Sequence, residues 1–206
     1  APDLYHGESS IEPDGAGKLM MALNLEHAAK DLSGAVALLQ QRTGRGHVGA
    51  VGYCMGGGLA LVLATQRPDA VAAVAPYYGA IPWASVQPDW SALSAKVVGE
   101  YAANDGWATP EAAHALESQL RELGKDAVLH VHPGVDHAFF SPGSQVGARA
   151  AHVGSHPARV HGHADGALAQ HQRGIFQHRI ERRFGRAVQP AAGARAQTHR
   201  AHARRD

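Results

Sequence analysis

Apolar residues recur every three or four positions from residue 19 to 41, at Leu25, Ala28, Ala29, Leu32, Val36 and Leu39. That spacing is one face of a helix. Asn24 and Asp31 are both suited to cap a break within it. Residues 47–53 then form a short run rich in valine and glycine, a candidate buried strand. Helical spacing returns over 59–65. Two further apolar runs, 71–79 and 97–102, read as strands. Thr109-Pro110-Glu111 opens another helix with a cap residue, a proline at the first helical position and an acid near the positive dipole end. Ala112, Leu116, Leu120 and Leu123 continue it at helical spacing, and Gly124 ends it. A last strand is predicted over 127–132. Strands alternating with helices predict an α/β domain built on a parallel sheet.

The pattern stops after Phe140. Residues 1–140 hold eight basic and fifteen acidic side chains, a net charge of −7. Residues 141–206 hold eleven arginines and three acids, a net charge of +8, and eight of the fifteen histidines. This divides the 206 residues into a globular domain, 1–140, and an Arg/His/Ala-rich tail, 141–206. Only 174–184 in the tail has helical spacing, through Ile175, Phe176, Ile180 and Phe184. The tail has no apolar stripe that would cover a sheet, so disorder is expected there. No apolar run reaches the roughly 18 residues of a membrane span, and no signal peptide is visible at the first residue given. One cysteine forms no internal disulfide, which fits a reducing cytoplasm. The expected location is cytoplasmic.

That cysteine sits in Gly52-Tyr53-Cys54-Met55-Gly56-Gly57-Gly58, directly after the first predicted strand. A strand ending in G-x-C-x-G and running into a helix is the pattern of a nucleophile elbow, with sulfur in place of oxygen. Gly52 and Gly56 are read as the positions where a side chain would collide with the turn. The Met55 N–H would point toward a developing oxyanion from a helix N-terminus. A lone cysteine is more commonly a small buried hydrophobe. A phosphate-cradling loop lacks its lysine here, and the spacing is not GxGxxG.

A thiol nucleophile needs a base, and the base an orienting carboxylate. Asp105 follows the strand 97–102, and His137 follows the strand 127–132. Their order along the chain is that of α/β-hydrolases: nucleophile, acid, histidine. Asp105 before Gly106 is also a good turn residue. Asp136 competes for the acid role, but its position next to His137 points its side chain elsewhere.

With those residues in view, the chain resembles the dienelactone hydrolase family of α/β-hydrolases. The matching pieces are Pro2-Asp3-Leu4-Tyr5, Gly52-Tyr53-Cys54-Met55-Gly56-Gly57, Tyr77-Tyr78-Gly79, the Asp105 turn and Gly134-Val135-Asp136-His137-Ala138-Phe139. The resemblance implies a three-layer α/β-hydrolase-like fold with a mostly parallel sheet, here without its first strands. It implies a hydrolase of carboxylic ester or lactone bonds that needs no cofactor or metal. Cys54, His137 and Asp105 would form its triad, and Met55 would supply an oxyanion-hole N–H. Tyr53, Tyr78 and Trp107 would line the pocket. The expected partner is a small-molecule ester or lactone. Family members that take dienelactone hold its carboxylate with arginines. Ser141 stands at one of those positions, and the other has no match between Pro13 and Lys18.

Two other classes remain open at this stage. One is a catalytically inactive fragment of the same family. The other is a binding protein acting through its basic tail. His152, His156, His161 and His163 suggest a metal, but Gly154 and Pro157 disfavour the helix that would align the first two. Arginines without interleaved aromatics give only weak, salt-dependent phosphate binding. Neither a metal nor a specific nucleic-acid partner is expected.

Overall fold

The computed structural model describes residues 1–86 and 88–140. The predicted tail, its histidines and the 174–184 segment lie outside the described residues. Four strands form one parallel sheet in sequential order: β1 (Val48–Tyr53), β2 (Val71–Tyr77), β3 (Lys96–Ala102) and β4 (Ala127–His132). The helices are α1 (Pro13–Met21), α2 (Leu25–Thr43), α3 (Met55–Gln66) and α4 (Pro110–Glu122). A single 3-10 turn at Trp90–Ala92 was not expected.

The long helix predicted over 19–41 is two helices. Asn24 decides the break: its side chain accepts the His27 N–H at the start of α2, while Asp31 lies inside that helix. Thr109 likewise accepts the Ala112 N–H and caps α4. Gly44 closes α2 at φ 66°, a left-handed conformation that glycine adopts without penalty.

Strand alternation assigns the two faces of the sheet. Gly52 points at α3, and Tyr101 lines one cleft with Leu61 of α3 and Leu116 of α4. These two helices therefore cover the same face, over a core that includes Leu61, Val74, Val97, Tyr101 and Leu120. Val51 and Tyr53 point to the opposite face and are about half exposed. Parallel register sets Tyr53 beside Tyr77, and Tyr77 beside Glu100. Among the described residues no helix is long and apolar enough to cross a membrane.

The elbow glycines divide differently from the sequence reading. A Cβ on Gly52 would fall inside the carbonyl of Gly56. A Cβ on Gly56 would meet nothing within 4 Å. Gly56 already follows helical backbone, so its side chain would project away from the strand. The steric requirement rests on Gly52, not on Gly56.

Gly52→Ala should therefore cost about 1–3 kcal/mol or more through overpacking against rigid backbone. Gly56→Ala should stay within about 1 kcal/mol of the parent, since alanine is the better helix former. Chemical denaturation of both variants checks the contrast.

A second expectation concerns alkaline pH. Burial pushes the phenols of Tyr101 and Tyr77 well above their usual range, and the Glu100 charge adds to the effect at Tyr77. An unfolded tyrosine ionises near pH ~10. Above that point the unfolded chain sheds protons that the native state keeps, so stability falls as pH rises. Melting temperature measured across this range should decline above about pH 10, and Tyr101→Phe should flatten part of the slope.

Candidate active site

β1 delivers Cys54 to the C-terminal edge of the sheet. Its backbone has φ 53° and ψ −123°, a conformation disfavoured for a residue with a side chain. Holding it costs roughly 1–3 kcal/mol. Three hydrogen bonds fix the strained residue. The Cys54 N–H donates to the Tyr77 carbonyl at 3.0 Å, and the Cys54 carbonyl accepts the N–H groups of Gly57 and Gly58. The Met55 N–H makes no backbone hydrogen bond among the described residues. It opens α3, where the unpaired amides and the helix dipole favour negative charge.

β3 delivers Asp105. Its carboxylate is buried, with the residue 5 % exposed. Oδ1 accepts the N–H groups of Trp107 and Ala108 at 2.8 and 3.0 Å, which leaves Oδ2 facing His137. β4 delivers His137 through a loop that turns at Gly134 (φ 74°). The Ala103 N–H to the His132 carbonyl and the Asn104 N–H to the Val135 carbonyl tie this loop to the one holding Asp105.

The three side chains meet. His137 Nδ1 lies 2.6 Å from Asp105 Oδ2, and His137 Nε2 lies 3.2 Å from Cys54 Sγ. An ionised carboxylate only accepts. With Asp105 in that state, Nδ1–H is the donor and the Nε2 lone pair faces the sulfur. In that arrangement the thiol proton can pass to Nε2, and the imidazolium formed is stabilised by the buried carboxylate.

Aromatic rings frame the imidazole. Tyr78 meets it edge-on, with centroids 5.0 Å apart. Trp107 lies nearly parallel to it, at 6.1 Å and 19°, and is 48 % exposed. The Tyr53 ring packs with Tyr77 and Phe140 and lies 6.4 Å from that of Tyr78. Tyr5 reaches the elbow from the N-terminal segment, its hydroxyl donating to Met55 Sδ at 3.7 Å.

A second carboxylate–imidazole pair was not anticipated. Glu100 Oε2 lies 2.6 Å from His132 Nε2 on the opposite face of the sheet. Glu100 is 1 % exposed, and its Oε1 has no hydrogen-bond partner among the described residues. The Phe139 ring lies 5.5 Å from that of His132 and 5.4 Å from that of Tyr78. The available signal was an acid inside the apolar stretch Val97–Val98–Gly99–Glu100–Tyr101. Its partner depends on the β3–β4 register, which no single strand records.

Comparison with known proteins follows the same lines. The chain is 27% identical over 146 residues to "Protein usf" of Aquifex pyrophilus and, equally, to a protein of Aquifex aeolicus (strain VF5) named "Putative carboxymethylenebutenolidase". Each match covers 68% of this chain and 62% of the relative, so the chain spans less than two thirds of the length of these curated relatives. Among solved structures, a Klebsiella pneumoniae protein described as a "Putative Dienelactone Hydrolase" superposes with a TM-score of 0.59 at 24% identity. That match covers 68% of this chain and 63% of that one, and it shows the shared fold. The family model for the dienelactone hydrolase family matches residues 1–162, well over half of the sequence, and the chain belongs to that family.

Proposed function

We propose that this chain hydrolyses carboxylic ester or lactone bonds of small molecules, with Cys54 as nucleophile, His137 as general base and acid, and Asp105 as the residue that orients the imidazole. The observation that carries this reading is the continuous chain of contacts from Asp105 through His137 to Cys54.

The thiol gives its proton to His137 Nε2 as sulfur attacks the carbonyl carbon. The carbonyl oxygen becomes an oxyanion beside the Met55 N–H. Collapse breaks the bond to the alcohol oxygen, which takes the proton back from Nε2. A thioester on Cys54 remains. Water then attacks it, giving a proton to Nε2. The second collapse releases the acid and returns that proton to sulfur. Asp105 holds the imidazole in the required tautomer throughout.

Turnover of p-nitrophenyl acetate should be lost in Cys54→Ala. His137→Ala should fall by about 10²–10⁴-fold, the usual value of a positioned acid–base. Mass spectrometry of the quenched wild-type reaction should find the acetyl group on Cys54. Hydrolysis that survives Cys54→Ala at the wild-type rate would place the chemistry elsewhere. A wild-type chain that folds but turns over no ester would identify it as an inactive relative.

Asp105→Asn tests the orienting role. The amide presents a donor to His137 and favours the wrong tautomer, so the rate should drop by roughly 10⁴-fold while the melting temperature changes little. A drop in rate matched by unfolding would assign Asp105 a structural role instead.

A further inference from the structure

An apolar cleft of about 280 Å³ opens between the sheet and α4, with Trp107 in its wall. Leu61, Tyr101 and Leu116 form its floor, and Trp107, Ile81 and Ala112 its rim. Among the described residues no charged side chain lines it. The one hydroxyl there, on Tyr101, donates to the Gly79 carbonyl at 3.3 Å. The volume is nearly twice that of the ~150 Å³ apolar cavity that binds benzene in another protein.

Two contacts join the cleft to the Cys54–His137 pair. The Trp107 ring that forms its rim lies nearly parallel to the His137 imidazole. Gly79 and Ala80, also in its wall, cross the first turn of α3, where a Cβ on Gly57 or Gly58 would strike them. The cleft thus adjoins the His137 imidazole through the Trp107 ring.

Its position also selects a portion of the substrate. The leaving oxygen of an ester must take its proton from His137 Nε2, so the alcohol portion lies against the imidazole. Trp107 is the surface that continues from there. We infer that the cleft binds the apolar alcohol chain of a neutral ester, an inference that rests on the hydrolase reading above. The preferred substrates are then uncharged esters of alcohols several methylenes long. A ligand carboxylate in the cleft would be desolvated without a cation.

Alkyl acetates from ethyl to hexyl provide the test, because all of them form the same acetyl-enzyme. Chain length then acts on kcat/KM through acylation. Each buried methylene is worth up to about fourfold. The hexyl-to-ethyl ratio of kcat/KM should be tens-fold in the wild type. Ala112→Phe, at an exposed helical position on the rim, should cut that ratio by about tenfold. Leu116→Ala should raise it for longer chains. Ratios that stay within about twofold of wild type in both variants would overturn the inference. So would chain-length dependence found only in a series of p-nitrophenyl esters differing in acyl length, since the cleft would then hold the acid portion.

A readout without turnover separates the two readings. 1-Hexanol should slow alkylation of Cys54 by iodoacetamide in the wild type, and much less in Ala112→Phe. Such protection without Cys54-dependent hydrolysis would reject the hydrolase and retain the cleft. Hydrolysis without protection would do the reverse.

Discussion

The hydrogen bond from the Cys54 N–H to the Tyr77 carbonyl holds a backbone conformation that the local chain would not choose. It couples the end of β1 to the end of β2 and points the next amide, on Met55, outward. The turn leaves no room at Gly52, whose Cβ position the Gly56 carbonyl already occupies. The strained backbone at Cys54, a helix beginning one residue later and a close strand–helix approach are one geometrical requirement. The parallel register of β1 and β2 meets it by bringing Tyr53 level with Tyr77.

Parallel order has a second consequence. All four strands end at the same edge, so the loops after β1, β3 and β4 share one neighbourhood. Asp105 and His137 leave adjacent strands there, and the two backbone bonds between their loops fix their separation. A buried carboxylate costs several kcal/mol unless its oxygens are paired. At Asp105 both oxygens have partners. At Glu100 one oxygen is paired with His132, and the other has no partner among the described residues. The two carboxylate–imidazole pairs therefore differ in kind. In the Asp105 pair, the far nitrogen of the imidazole faces Cys54 Sγ at 3.2 Å.

Aromatic side chains set the surroundings of the imidazole. Tyr78 is buried and limits its tilt, whereas half-exposed Trp107 is both its cover and the rim of the apolar cleft. The Trp107 ring thus faces both the imidazole and the cleft, and its position is set by the Asp105 carboxylate that accepts its backbone N–H. Orientation of the histidine and the shape of the cleft are linked through that turn.

The sequence alone determined what depends on neighbours along the chain. The four strands fall where apolar runs were read, and the last, Ala127–His132, has the predicted bounds. Thr109 caps α4 as its hydroxyl and the following proline require, and strand–helix alternation prescribed a parallel sheet. The positions of Cys54, Asp105 and His137 just past strand ends were legible for the same reason. Tertiary structure decided what depends on register. It chose Asn24 over Asp31 as the cap, because only Asn24 stands at the break. It moved the steric constraint from Gly56 to Gly52, because helical backbone turns the Gly56 side away from the strand. It set Asp105 rather than Asp136 against His137, from 32 residues away, and Cys54 against its other nitrogen, from 83. Periodicity records whether a residue faces the core or the solvent. Which distant residue it meets there is fixed only when strands pair and their ends align.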